Sequence, residues 1–453
     1  MSWIDQYRSK LVTAREAVSC VESGMRVYIH PGCAEPEALV EALMSRAPYV
    51  KNVELMHLLT SGTSPYCAPE MAEHFRHNAL FVGGNVREAV NDGRADYTPI
   101  FLSEVEALFE TGEMPIDVAL IQVSPPDPHG YCSFGVGVEC TLTAAKYAHR
   151  VVAQVNAQMP RTYGDSFIHI SEIDAIVELS RPLCELKKQA SNEVFEQVGA
   201  RVASLIEDGA VLQCGIGAIP DAILPNLMDR KDLGVHTEMI SDNVIPLIEA
   251  GVINGRRKNL KPRKVILGFV LGTRKLFDFI DENPIFEFHP SAYTNDPFRI
   301  SMNDRMVAIN SAIEVDLTGQ VCAESIGPQF YSGFGGQLDF IRGAARSKYG
   351  KPIIALPSTA RNDTISRIVP RLAAGAGVLT GRGDVHYVVT EYGIAYLHGR
   401  NVRQRAEALI QIAHPKFREE LYRYCEEQRW FQRNTYEAEH EVREESHGIA
   451  TTR

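Results

Sequence analysis

The chain has 453 residues, 45% of them hydrophobic and 23% charged, with a net charge of −11, the make-up of a globular protein with room for two or three cores. That acidic balance argues against a nucleic-acid partner, which calls for a dominant basic face, although a local phosphate site stays open. Nine scattered cysteines without a Cys-x-x-Cys pair speak for reduced thiols in a cytoplasmic chain rather than a zinc cage or disulfide frame.

The opening, Met1-Ser-Trp-Ile-Asp-Gln-Tyr7, lacks the apolar core of a signal peptide and the acid-poor make-up of an organelle transit segment. Glu22-Ser-Gly24 leads into a strand ending at His30, a glycine turn at Gly32 and a helix over Glu35 to Leu43. Ile116 to Ser124 predicts an apolar strand that runs into the turn Asp127-Pro-His-Gly130, and Ile173 to Glu178 predicts another. A boundary falls near 185–195, ahead of a helix over Asn192 to Ile206. The order then repeats about 185 residues on: a strand ending at Gln213, a glycine turn at Gly215 and Gly217, and a helix through Leu227. A proline, Pro36 or Pro220, follows the glycine in each copy, where a helix tolerates it in the first turn. Asp304 to Asn310 matches Ile116 to Ser124, Asp316-Leu-Thr-Gly319 matches the Asp127 turn, and Asp384 to Thr390 matches Ile173 to Glu178. Four matches in one order mark an internal duplication. The longest apolar run, about eight residues from Val265 to Gly272, is far below the ~20 of a membrane span. Alternating strands and helices call for two similar α/β domains with largely parallel sheets, 1–190 and 191–453. A helical C-terminal extension follows from about 403, over Arg403 to His414 and Pro415 to Cys425. The last dozen residues are polar and expected to fray.

Open α/β sheets bind ligands at the carboxyl ends of their strands, where Gln213 to Gly217 sits in the second half. Glu238, in Gly234-Val-His-Thr-Glu-Met-Ile-Ser-Asp242, follows one helix and one strand later, so both can face one crevice. A carboxylate ending a buried strand needs a reason, because burying an unpaired charge is costly. A nucleophile towards an acyl thioester is one; a surface or capping residue is the bland alternative. The equivalent stretch of the first half, His57-Leu-Leu-Thr-Ser-Gly62, has no carboxylate. This asymmetry suggests that residues 1–190 shape an acyl pocket while the second half does the chemistry.

Gly215-Ile216-Gly217 lacks the final glycine of a dinucleotide fingerprint, which leaves a thioester or phosphate turn, or plain structural glycines. Ser332-Gly-Phe-Gly335-Gly336-Gln337-Leu-Asp339 is a second glycine cluster, entering a helix over Leu338 to Arg346. It can present amides to an oxyanion or admit a pantetheine arm, or be a loop needing positive φ. Ser124-Pro-Pro-Asp127-Pro-His129-Gly130-Tyr131-Cys-Ser133 gathers a carboxylate, an imidazole and hydroxyls without the G-x-S-x-G elbow of a hydrolase, and reads as a rigid turn. The basic run Gly255 to Lys264 reads as a solvated loop or a contact for a nucleotide phosphate. His30 and Cys33 either touch substrate or are satisfied inside. No group has metal-ligand spacing, so no metal is expected.

Several ordered motifs extend the pattern: Gly83-Gly-Asn-Val-Arg87, Arg94-Ala-Asp-Tyr97-Thr-Pro99, Ala308-Ile-Asn310, Val389-Thr-Glu391-Tyr-Gly393 and Ile412-Ala-His414. With these residues the chain resembles the acetyl-CoA hydrolase/transferase family, most closely its 4-hydroxybutyrate CoA-transferases, over nearly its whole length. The resemblance implies that Glu238 is acylated by the thioester, with Asn310 and Gly335 near the reacting carbonyl. It places coenzyme A, the substrate, against Gln213, Cys214, Gly215, Ile216 and Gly217, and against Gly335, Gly336 and Asp339. Arg361 falls where relatives often carry lysine for the CoA, keeping the charge but not the geometry. The implied reaction is ping-pong transfer of CoA from an acyl-CoA to a small free acid, of the 4-hydroxybutyrate, butyrate or acetate type, through a glutamyl-CoA thioester. Alternatives are an acyl-CoA hydrolase with the same glutamate and an itaconate- or succinate-type transferase. A non-catalytic CoA-binding protein and a sugar-phosphate isomerase, for which no base-and-lysine pair is found, complete the field. A homodimer is the default assembly.

Overall fold

A computed structural model describes residues 2–186, 192–215 and 217–430. The last dozen residues and Ile216 therefore lie outside the described residues, as does part of the expected boundary near 185–195.

Seven strands form the first sheet: β1 (Arg26–Ile29), β2 (Val53–His57), β3 (Phe75–Ala79), β4 (Asp96–Tyr97), β5 (Val118–Val123), β6 (Arg150–Val155) and β7 (Ala175–Glu178). Their spatial order is β4-β3-β2-β1-β5-β6-β7, with every pairing parallel. The second sheet holds β8 (Val211–Cys214), β9 (Gly234–His236), β10 (Val265–Leu267), β11 (Phe286–Phe288), β12 (Met306–Ser311), β13 (Lys351–Ala355), β14 (Tyr387–Thr390) and β15 (Gly393–Tyr396). Its order is β11-β10-β9-β8-β12-β13-β14-β15, the same winding with one antiparallel strand added at the edge. The matched strands of the sequence thus occupy equivalent places in two sheets, which is the duplication at the level of topology.

The strand sequences explain the arrangement. All six residues of β5, Val-Ala-Leu-Ile-Gln-Val, are buried, as a parallel strand covered on both faces requires. β8 begins the second winding as β1 begins the first, and each leads into a helix, Glu37–Met44 or Ala218–Ile223. Pro36 precedes the first helix and Pro220 lies in the first turn of the second, where the missing amide costs no intrahelical bond.

The halves share a core. Val123, Val136 and Val138 pack in one cluster with Leu212, Val235 and Leu267. Backbone hydrogen bonds cross the seam, Val138 N to Gly268 O at 2.9 Å, Val270 N to Val136 O at 2.8 Å and Phe288 N to Tyr163 O at 2.7 Å. A second crossing comes from the chain before the late glycine cluster. Arg87 Nε donates to Tyr331 O at 2.7 Å, Asn91 Nδ2 to Phe330 O at 2.9 Å and Tyr97 OH to Glu324 Oε2 at 3.0 Å.

Helices Val402–Ile412 and Pro415–Glu427 form the C-terminal extension. Leu409 and Ile410 are wholly buried against Ile354 and Val388, each contributing about 1.5–3 kcal/mol by burial. Among the described residues no helix is long and apolar enough to cross a membrane.

Candidate functional site

The chain changes partners at Glu238. β9 ends with Thr237 N donating to Ile266 O at 3.0 Å, and Met239–Ile240 then joins a separate parallel ladder with Phe269–Val270. Between the two ladders the carbonyl of Glu238 accepts from Gly268 N at 2.8 Å and Phe269 N at 3.1 Å, while Thr237 Oγ1 closes the bend onto Met239 O. The backbone of Glu238 is pinned, and its side chain is left to line a cavity between the halves.

That carboxylate is held from two sides. Nδ2 of Asn295 donates to Glu238 Oε2 at 3.1 Å, and the amide of Gly336 is a second donor. A Cβ on Gly336 would collide with both Glu238 Oε2 and Asn295 Nδ2, so only glycine lets the backbone come this close. Burial raises the Glu238 carboxyl above its usual range, and the Asn295 and Gly336 donors oppose that shift. Asn295 is oriented in turn, since its Oδ1 accepts from Thr294 Oγ1 at 2.8 Å. His236, wholly buried, donates through Nε2 to Thr294 O at 2.8 Å. Burial and then the charge of Lys258 depress its imidazole to about 3, so it is a neutral strut.

Gly335 has φ +54° and is stitched to the first half, its carbonyl accepting from Leu102 N at 3.0 Å beside a bridge to Phe101. Asp339, in the first turn of helix Gln337–Arg346, faces the same seam. It accepts from Ser103 Oγ at 2.8 Å and Ser103 N at 3.2 Å, and burial lifts its carboxyl to about 7. Its hydrogen bonds thus tie one half to the other.

The cavity beside Glu238 measures about 110 Å³. Pro31, Leu58, Leu80 and Phe81 line it from the first half; Gly215, Met239, Phe269 and Gly335 line it from the second. Gly215 and Gly335 therefore meet at one cleft with Glu238 and Gly336. Gln213 and Asn310 are joined to each other instead: Gln213 Oε1 accepts from Asn310 Nδ2 at 3.1 Å and Ile309 N at 3.0 Å, and neither lines that cavity. The Cys214 thiol is pushed up to about 12 by burial, which disfavours its thiolate. Gly217 caps the following helix with φ +113°, and Ile216 lies outside the described residues. Arg361 is exposed in the left-handed turn Arg361-Asn-Asp363, away from the lining of the cavity. Among the described residues no group of three or more His, Cys, Asp or Glu could hold a metal ion.

The Asp127 turn is rigid, as its prolines suggest. Oδ1 of Asp127 accepts from His129 N and Tyr131 N, and Oδ2 pairs with Arg161 at 2.6 Å. His30 is satisfied inside, its Nε2 donating to Gly137 O at 2.8 Å and its Nδ1 accepting from Gln122 N at 3.2 Å. The basic run is less of a loop than expected. Lys258 is 4% exposed and donates to Val235 O and Lys264 O, with burial lowering its ammonium to about 7. Its long stem reaches under β9 to satisfy carbonyls there.

Four polar residues at the cleft or the seam escaped the sequence analysis as site candidates. Asn295 gave no signal, since it meets Glu238 only through the fold. Glu35, buried with Oε2 on Gly62 N at 2.9 Å, supplies a carboxylate beside the first-half stretch that has none of its own. Glu106 accepts from Thr143 and from Ala292 N at 2.7 Å across the seam. Glu139 lines the cavity with Glu238 and closes the apolar, glycine-rich stretch Phe134-Gly-Val-Gly-Val-Glu139; the cost of burying a charge could have singled it out as it did Glu238.

Comparison with known proteins gives concordant results. Residues 1–183 match the acetyl-CoA hydrolase/transferase N-terminal domain and residues 272–425 the C-terminal domain. A 4-hydroxybutyrate coenzyme A transferase of Clostridium kluyveri is 55% identical over 421 residues, covering 93% of this chain and 98% of that protein. A succinyl-CoA:acetate/propanoyl-CoA:succinate CoA transferase of Fasciola hepatica is 51% identical, covering 90% of this chain and 85% of its own length. The crystal structure of a 4-hydroxybutyrate CoA-transferase from Porphyromonas gingivalis superposes with a TM-score of 0.83 at 42% identity, covering 95% of this chain and all of that one.

Proposed function

The chain belongs to the acetyl-CoA hydrolase/transferase family, and we propose that it transfers CoA between an acyl-CoA and a small free carboxylic acid by covalent catalysis at Glu238. The observation that carries this reading is a carboxylate with two fixed donors, set at the edge of a largely apolar cleft where the halves meet.

In the first step a Glu238 oxygen attacks the thioester carbonyl, the C–S bond breaks, and a mixed anhydride and CoA thiolate result. The thiolate then attacks the glutamyl carbonyl and the first acid leaves as its carboxylate, giving a glutamyl-CoA thioester. An incoming carboxylate attacks that thioester and expels the thiolate, which attacks the acyl carbonyl of the new anhydride and frees Glu238. No proton is transferred, so no general base is required. The Asn295 and Gly336 donors orient the nucleophile for attack, which is where much of the rate enhancement of such a reaction arises. The apolar walls from Leu58, Leu80, Phe81 and Phe269 keep water from the anhydride. In this reading Gly215 and Gly335 let the thioester arm pass between the halves, Gln213, Cys214, Gly217 and Asn310 support it from the β8 end, Asp339 holds the Gly335-Gly336 segment against the first half, and Arg361 acts further along the CoA.

The test is mass analysis of the protein after incubation with acyl-CoA and borohydride. A modified peptide containing residue 238 supports the reading; an unmodified residue 238 in a protein that turns over sinks it. Running the reaction with and without added acetate separates transfer from hydrolysis, because a transferase stalls without an acceptor acid.

A further inference from the structure

Glu139 is a buried carboxyl that the transfer chemistry does not use. It is 2% exposed, lines the same cavity as Glu238, and among the described residues its Oε2 has no hydrogen-bond partner. Its Oε1 makes one long contact, 3.5 Å from Thr141 Oγ1. Its backbone is fixed across the seam, with Ser291 N donating to its carbonyl at 3.2 Å. Apart from Glu238, the other described residues of the lining have no polar side chain, with Leu58, Leu80, Ile100, Leu102 and Val105 among them. An orphaned buried oxygen is rare in folded proteins and calls for an explanation. In an apolar pocket the few polar groups fix which ligand binds and in what pose.

We propose that Glu139 determines substrate choice at this site, hydrogen bonding to a hydroxyl on the acyl chain so that short hydroxyacyl groups are preferred over unsubstituted ones. The inference rests on the transferase reading above. Burial pushes the Glu139 carboxyl well above its usual range, with the charge of Glu106 adding to the shift, which favours the protonated acid. A carboxylic acid both donates and accepts, as a hydroxyl does, so the two can satisfy each other. A second carboxylate on the substrate fits poorly: among the described residues no Lys, Arg or His lines the cavity, and the added charge would face Glu238 and Glu139 without a counter-ion. An ammonium group would require Glu139 to ionise among aliphatic side chains, with only the distant Thr141 hydroxyl to support it.

The experiment compares four acceptor acids of matched length with acetyl-CoA as donor: butyrate, 4-hydroxybutyrate, 4-aminobutyrate and succinate. The expected order puts 4-hydroxybutyrate first, with kcat/KM about tenfold or more above butyrate, the worth of one buried hydrogen bond. E139M should erase that ratio, and E139Q should keep most of it because an amide also donates and accepts. Equal efficiencies for butyrate and 4-hydroxybutyrate in the wild type overturn the proposal. So does a ratio unchanged in a folded E139M, or succinate or 4-aminobutyrate in first place. If E139M does not fold, as its melting curve would tell, the wild-type ranking decides. A wild type that transfers CoA to none of the four overturns the transferase reading itself, whereas one that transfers without the hydroxy preference overturns only the role of Glu139.

Discussion

Asn295 donates its side-chain amide to Glu238 at 3.1 Å across 57 residues of sequence, and its own carbonyl is held by Thr294. The pair couples the orientation of the carboxylate to its acidity. A hydrogen bond to a charged group contributes roughly 1.5–3 kcal/mol, or about ten- to a hundredfold in rate. We therefore expect N295A to lower kcat/KM by that factor near pH 6. Losing a donor to the charged form raises the Glu238 pKa further, so the acid limb of the pH–rate profile should move to higher pH, with partial recovery in alkali. A reduced rate with an unmoved limb would show that Asn295 does not act through this carboxylate.

Removing the proposed nucleophile is the plainest case. E238A and E238Q should lower transfer by roughly a thousandfold or more and abolish the borohydride-trapped adduct. The melting temperature should hold or rise, because Glu238 is a carboxyl raised by burial and not a stabilising one. Turnover at the wild-type rate by purified E238A would remove the assignment.

Gly336 gives a steric test. Alanine there drives a methyl group into Glu238 Oε2 and Asn295 Nδ2, displacing the carboxylate by about an ångström, a shift that can cost about a hundredfold in rate. The φ of −97° at this position is ordinary for alanine, so G336A should stay folded. A fully active G336A would mean that the carboxylate does not need its present pose.

Stability should depend on pH in a stated direction. Glu35, Glu106 and Asp339 are all raised to about 7 by burial, whereas in the unfolded chain they titrate near 4. The folded protein binds their protons more tightly, so this contribution is complete below about pH 4 and is lost as the pH rises through about 7. The melting temperature should therefore fall less steeply between pH 5 and 8 in D339N than in the wild type. Equal slopes in the two proteins would mean that Asp339 titrates normally.

What the sequence discloses follows from the range of each interaction. β5 announces itself by six consecutive buried residues, and the duplicated strand–turn–helix order survives as local patterns that repeat in register. Glu238 is visible because a charge ends a buried strand within a few residues of the apolar run that buries it. Its partners are not visible: Asn295 belongs to a polar turn that also starts the helix at Pro297, and nothing nearby distinguishes the two duties. Asp339 reads as a helix-start acid beside the glycines, and only the fold shows Ser103 occupying both its oxygens. Lys258 looks solvated in a run of like charges, because the carbonyls that hold it, Val235 and Lys264, come from β9 and from the residue before β10, some 30 residues apart.

The hydrogen bond from Leu102 to Gly335 has a consequence for how closely the two halves depend on each other. Gly335 and Gly336 are consecutive, so the residue that closes the seam is bonded directly to the one whose amide meets Glu238. Backbone that joins one half to the other is therefore the same backbone that sets the pose of the carboxylate.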